Sequence, residues 1–242
     1  MVITLLENHY LYLQSYMQLN TTVPWGRSLQ EYQDMFLLRE SELQSSILAC
    51  ADGPASFNTE ARKQGAKVTS VDPLYQFTAE EIKTRINVVA EEVIGQVKAH
   101  QDDFFWTAFA NPEALYQQRM RSMQLFLDDY AMPASSPFYI SAQLPELSFA
   151  NKQFDLALCS HFLFLYSEHF DAQFHLDSMH ELCRVASQVR VYPLVGLDNT
   201  PSPHLGLIVK ELSRQGHEVK QQTVDYQFQK GATQMLVVNT AP

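Results

Sequence analysis

One stretch of the chain sets what the rest can become. From Ile47 the sequence reads ILACA, then the turn residues DGPAS, a short helical segment to Gly65, and AKVTSVD ending at Asp72. A strand, a turn, a helix and a second strand within about 30 residues make a β-α-β unit. Such a unit commits its neighbours to a parallel sheet with helices on both faces. FDLALCS (Phe154 to Ser160) is a nearly continuous apolar run, as a strand buried on both faces requires. A helix with Met179, Leu182, Cys183 and Ala186 on one face follows, then strand QVRVYPLV and a helix ending at Gly216. EVKQQTVDYQF and TQMLVVN, around Lys230-Gly231, close the pattern. The expected fold class is α/β: a doubly wound, mostly parallel sheet with a C-terminal antiparallel hairpin, plus a helical cap.

The cap comes from two segments without strand pattern. Residues 1–46 read as N-terminal helices, with Leu6, Tyr10, Leu13 and Met17 on one face and a capping box at Ser28-x-x-Glu31. Residues 74–137 read as a helical insertion. Thr78-x-x-Glu81 caps a helix striped by Ile82, Ile86, Val89, Val93 and Val97. Asn111-Pro112 opens another striped by Tyr116, Met120, Met123, Leu127 and Tyr130. With residues 47–73 and 138–242 as the sheet core, the expectation is one domain over 1–242, its helical parts forming a lid above the carboxyl edge of the sheet. Arg119 and Arg121 lie off the second stripe and read as a solvated face, with contact to a carboxylate-bearing acceptor under the lid as the alternative.

Charge narrows the partners. Asp plus Glu number 27 against 17 Lys plus Arg, a net charge of −10, which repels a phosphate backbone and argues against general nucleic-acid binding. No run approaches the length of a membrane span, and the start carries no basic, cleavable leader, so no membrane role and a cytoplasmic location are expected. Cys50, Cys159 and Cys183 are widely spaced and imply no disulfide framework. His180 and Cys183, with His175 nearby, lack a third and fourth ligand, so no metal site is expected. The chain alone says nothing of its oligomeric state.

Ligands of an open parallel sheet bind beyond the carboxyl ends of its strands. There, nineteen positions after Gly53, stands Asp72, a carboxylate placed to accept both hydroxyls of a ribose. With this turn and this acid the chain resembles the Rossmann-like, class I S-adenosylmethionine-dependent methyltransferases, from about Ile47 to Asn239. The family's first turn runs hydrophobic-hydrophobic-Asp-x-Gly-x-Gly-x-Gly; here the positions hold Ile47 to Ala55, so only the middle glycine, Gly53, survives and Ala49 replaces the acid. LPELSFANKQFDLALCSHFLF (Leu144 to Phe164) resembles the segment leading into the family's fourth strand, and HELCRV its following helix.

The resemblance implies S-adenosylmethionine as cofactor, with Ala51, Asp52 and Gly53 near the methionine part and Asp72 and Pro73 at the ribose. It places Ser141, Ala142 and Gln143 near the adenine, and Cys159 and Ser160 at the end of the fourth strand. Asp52 stands in for the acid missing at Ala49, or belongs to a plain β-turn Asp52-Gly53-Pro54. His161 is the catalytic candidate for proton removal, against a polar residue that merely ends a strand. The residues after the fourth strand lack the proline motif of base-amino methyltransferases. A small-molecule methyl acceptor under the cap is therefore expected, with Tyr12, Trp25, Trp106 and Tyr116 as candidate walls. The alternatives are a non-catalytic member that binds cofactor or docks a partner, and a nicotinamide-dependent oxidoreductase, which needs a richer glycine turn. Tyr226-x-x-x-Lys230 has a dehydrogenase spacing, but the alternation of Val224, Tyr226 and Phe228 reads as strand.

Overall fold

The computed structural model describes residues 22–241. The helical reading of residues 1–21, with Leu6, Tyr10, Tyr12, Leu13 and Met17, lies outside them. Seven strands form one sheet in the order β3-β2-β1-β4-β5-β7-β6. They are β1 (Ser46–Cys50), β2 (Lys67–Val71), β3 (Tyr139–Ile140), β4 (Phe154–Ser160), β5 (Ala186–Tyr192), β6 (Glu218–Thr223) and β7 (Gln234–Asn239). All pairs are parallel except those of β7, which lies antiparallel between β5 and β6. The expected doubly wound sheet is present.

Because strand side chains alternate, the apolar runs supply two cores at once. Ile47 and Ala49 of β1, Leu156 and Leu158 of β4, and Met235 and Val237 of β7 face one side. There they meet α1 (Leu29–Phe36), α2 (Phe57–Lys63) and part of α3 (Ala79–Ala99). Leu48, Cys50, Ala157, Cys159, Leu236 and Val238 face the other side, under α5 (Ala172–Val185) and α6 (Leu205–Arg214). The helix α4 (Pro112–Tyr130) packs on α3 to make the cap. Both capping boxes read from the sequence are formed, Ser28 with Glu31 and Thr78 with Glu81, and Asn111 accepts from Ala114 N at 2.9 Å.

Two readings need correction. The buried residues of α4 are Pro112, Leu115, Arg119, Ser122, Met123, Phe126 and Leu127; of the expected stripe Met123 and Leu127 are among them, while Tyr116, Met120 and Tyr130 are only partly buried. The helix packs on two sides: Met123, Phe126 and Leu127 meet Ile82, Ile86 and Tyr139, while Leu115 joins the core under α1. A helix clamped on two sides buries a wider arc than one stripe. Also, β6 ends at Thr223, and Val224, Tyr226 and Phe228 leave the ladder although buried.

Candidate functional site

β1 pairs with β2 on one side and β4 on the other, so the chain direction of the sheet diverges at the carboxyl end of β1. That divergence opens the crevice in which ligands of such sheets bind. The turn after β1 carries Ala51 at φ +53° and Gly53 at φ +55°. Glycine tolerates this left-handed region; alanine there costs about 1 kcal/mol or more. A Cβ built on Gly53 meets nothing within 4 Å, so space lies open in front of the turn.

Asp72 follows β2 and ties the two strand ends together. Its Oδ2 accepts from Gly53 N at 2.9 Å and its Oδ1 from Leu74 N at 2.8 Å. Burial raises its pKa to about 6, against the pull of these two N–H donors. Tyr75 Oη donates to Gly53 O at 2.7 Å and fixes the turn from the other side. Asp52 is held inward by the Tyr32 hydroxyl and by Ser70 Oγ at 2.5 Å. Burial raises it to about 7, with the Asp72 charge adding to the rise against these two hydrogen bonds.

Above the turn runs a strap, residues 22–27. Gly26 lies so close to it that a Cβ there would sit 2.0 Å from Pro54 O. Strap, turn, Asp72 and the end of β4 enclose a cleft of about 410 Å³. Ala51, Asp52, Gly53, Asp72, Pro73, Ala142, Gln143, Ser160 and His161 all line it. Ser141 and Cys159 do not: Ser141 is exposed, and Cys159 points into the core beside Cys50, because alternate strand residues face opposite sides. Phe162, Tyr166, Phe170 and Phe174 add an aromatic wall that the sequence did not single out.

His161 has φ +51°, its N–H donates to Tyr192 O at 2.7 Å, and its Nδ1 lies 3.0 Å from Ser160 Oγ. Burial, then the Arg27 and Arg119 charges, push its proton affinity well below the ordinary 6.5, so the ring is neutral at pH 7. Beside it lies a second pocket of about 90 Å³, which shares Val23, Trp25, Arg27, His161 and Tyr166 with the cleft. Of the expected aromatic walls Trp25 lines both spaces, and Trp106 and Tyr116 line neither.

Arg119 is not solvated: its side chain is 1% exposed and its Nη1 donates to Glu31 Oε2 at 2.6 Å. Glu31 also accepts from the Tyr226 hydroxyl at 3.0 Å while completing the cap of α1. Burial alone would raise Glu31, but Arg119 and Arg27 hold it below the ordinary carboxylate value. Arg27 donates to Trp25 O at 3.1 Å; burial and the neighbouring Arg119 bring it down to about 10. The buried Arg119 pairs with the buried Glu31, and the half-buried Arg27 acts on the same carboxylate through its charge. The sequence signal for Glu31 was its capping spacing alone; nothing in it marked Arg27.

The strand order, the antiparallel β7 and the cleft at the divergence of β1 define the Rossmann-like fold of the class I methyltransferases. The chain belongs to the family of the uncharacterized protein MJ0045 of Methanocaldococcus jannaschii, with 31% identity over 227 residues, 92% of this chain and 98% of that protein. No family model matches. Among solved structures, the magnesium protoporphyrin IX methyltransferase ChlM of Synechocystis PCC 6803, crystallised with bound SAM, is 13% identical. The match covers 88% of this chain and 78% of that one, with a TM-score of 0.47. The PH0226 protein of Pyrococcus horikoshii OT3 is also 13% identical, covering 97% and 99%, with a TM-score of 0.47.

Proposed function

We propose that the protein binds S-adenosylmethionine in the cleft and transfers its methyl group to a small-molecule acceptor. The observation that carries this is the placement of Asp72, on the cleft wall, hydrogen-bonded to Gly53 at the end of the adjacent strand and beside open space in front of that glycine. The carboxylate still has lone pairs for two ribose hydroxyls. A cleft of about 410 Å³ lies within the range of cofactor sites. Arg27, whose charge Glu31 does not fully match, is the cation for a methionine carboxylate, and Ala142 and Gln143 with Phe174 flank the adenine end.

When bound, the cofactor supplies a methyl carbon activated by a positive sulfur. The chain's part is to align an acceptor, exclude water and receive a proton. The strap and the cap provide the exclusion. His161, neutral and shared by the cleft and the second pocket, provides the proton site. The eroded turn supports the reading of a non-catalytic member as the second possibility: Ala51 pays a backbone cost that glycine would not.

Calorimetry with S-adenosylhomocysteine tests the binding. Micromolar affinity is expected, falling at least tenfold in Asp72→Ala, with no binding of a nicotinamide dinucleotide. Nicotinamide binding without S-adenosylhomocysteine binding overturns the assignment. Labelled methyl transfer to pooled small molecules then separates an enzyme from a non-catalytic cofactor binder.

A further inference from the structure

Asp52 is buried, and among the described residues hydroxyls hold its carboxyl: Tyr32 of α1, and Ser70 of β2 at 2.5 Å. Tyr32, 2% exposed, reaches a further hydroxyl, because Ser160 at the end of β4 bears on its oxygen as a side-chain hydrogen-bond donor. Ser160 Oγ in turn lies 3.0 Å from His161 Nδ1. Asp52, Tyr32, Ser160 and His161 therefore stand in one row, brought together from α1, the turn after β1 and the end of β4, and all four line the cleft.

The Asp52 end sets the direction of the row. An ionised carboxylate accepts only, so the Tyr32 hydroxyl donates to it; the Tyr32 oxygen then accepts from Ser160, and Ser160 Oγ from Nδ1–H of His161. The imidazole is left with a bare Nε2. That nitrogen has no partner among the described residues, and it is not one of the solvent-shielded atoms, since the ring is half-buried on the cleft wall.

We propose that Asp52 is the terminal proton acceptor of the methyl transfer, reached from His161 through Ser160 and Tyr32. This rests on the methyl-transfer reading and adds where the proton ends. The O–H or N–H of the methyl acceptor gives its proton to Nε2, and its lone pair forms the bond to the methyl carbon. The electron pair of the carbon–sulfur bond that breaks stays on sulfur, which becomes a neutral thioether. Nδ1 passes its proton to Ser160, Ser160 to Tyr32, and Tyr32 to Asp52. The ring is neutral before and after, both hydroxyls are restored, and one positive and one negative charge disappear together. In a site closed to water that leaves neither charge buried alone.

Proton affinities run the same way along the row. Burial, then the Arg27 and Arg119 charges, hold the imidazole well below 6.5, whereas burial, with Asp72 adding, holds Asp52 at about 7. A proton delivered to the ring therefore comes to rest on Asp52. Burial keeps Tyr32 well above 10, so it gives one proton as it takes another and does not stand as a phenolate. Tyr75 and Cys50 also face the Asp52 charge, and burial raises both, so they stay neutral.

Two measurements on the full chain test the relay. At pH 8, heteronuclear NMR of the ring nitrogens shows which one of His161 carries the proton. Free histidine favours Nε2–H; here Nδ1–H should dominate. Tyr32→Phe, whose ring keeps its stack on Phe57, should lower the ratio of Nδ1–H to Nε2–H at least threefold. A dominant Nε2–H form, or a ratio that Tyr32→Phe leaves unchanged, overturns the relay. Calorimetry at pH 6.5, where Asp52 is mostly protonated, counts the protons released in buffers of different ionisation enthalpy. S-adenosylmethionine and S-adenosylhomocysteine differ in the charge on sulfur, so the former should release about 0.3 proton more, or above. Asp52→Asn should remove at least half of that excess. Equal release by the two, or an excess that mostly survives Asp52→Asn, refutes the relay and leaves cofactor binding standing. Binding of neither refutes the methyl-transfer reading and the role of Asp52 with it. Should a variant melt early, the wild-type tautomer and the wild-type difference in proton release decide.

Discussion

Replacing Asp52 by asparagine should stabilise the protein at pH 8 and flatten its dependence on pH. The Asp52 carboxyl is 5% exposed and accepts two hydroxyl hydrogen bonds. Burial lifts it from 3.8 to about 7. Between those two values the folded protein holds a proton that the unfolded chain releases. A folded value above the unfolded one gives stability that is full below the unfolded value and is lost as pH rises through the folded value. At about 1.4 kcal/mol per pH unit, the interval of about 3 units amounts to about 4 kcal/mol, of which about 3 kcal/mol is lost between pH 5 and pH 8. Asparagine keeps the shape, accepts from Tyr32 through its carbonyl, donates to Ser70 through its amide, and carries no charge. Urea unfolding of both proteins at pH 5 and pH 8 measures the difference. Asp72, raised to about 6, adds a similar loss to both and so cancels in the comparison. If wild type and Asp52→Asn lose equal stability over that interval, Asp52 is not titrating in the folded state and the burial argument fails.

Three further outcomes follow from the site. Glu31→Gln strips Arg119 of the buried carboxylate it pairs with and should cost about 3–5 kcal/mol in urea unfolding, against about 1 kcal/mol for Tyr226→Phe, which removes one hydrogen bond to Glu31. Gly26→Ala drives a Cβ to within 2.0 Å of Pro54 O, so the strap must lift; S-adenosylhomocysteine affinity measured by calorimetry should fall at least tenfold. The ring signals of His161, followed by NMR, should titrate below pH 6.5; a midpoint at or above that value contradicts the burial and the guanidinium charges assigned to it.

What the sequence revealed depended on how local each signal was. Gly53 and Asp72 sit at the ends of two adjacent strands of one β-α-β unit, so spacing alone brought them to one place. Capping boxes are equally local, and both formed. Arg119 was misread because its environment comes from elsewhere: Glu31 is 88 residues away along the chain, and no periodicity within α4 announces it. Ser141 and Cys159 were carried in by adjacency to true wall residues, yet side chains alternate along extended backbone and theirs face away. The run from Val224 to Phe228 alternates as a strand does, but its apolar residues serve the cap cluster, where Phe228 packs on Phe104 and Phe109, and not a sheet partner.

The antiparallel β7 bears on how the molecule is made. It follows β6 in the chain but lies between β5 and β6 in space, pairing with Val189 on one flank and Val219 on the other through the same residue, Val238. Until residues 234–239 have left the ribosome, β5 presents a bare edge and β6 has no strand to pair with. Five parallel strands can assemble during synthesis, while the antiparallel edge of the sheet waits. A nascent chain paused before β7 therefore exposes an unpaired apolar edge, the kind of surface that chaperones bind and that seeds aggregation. Slow translation of the codons just ahead of Gln234 would lengthen that exposure, and a synonymous change that speeds them should raise the yield of native protein without altering a single side chain.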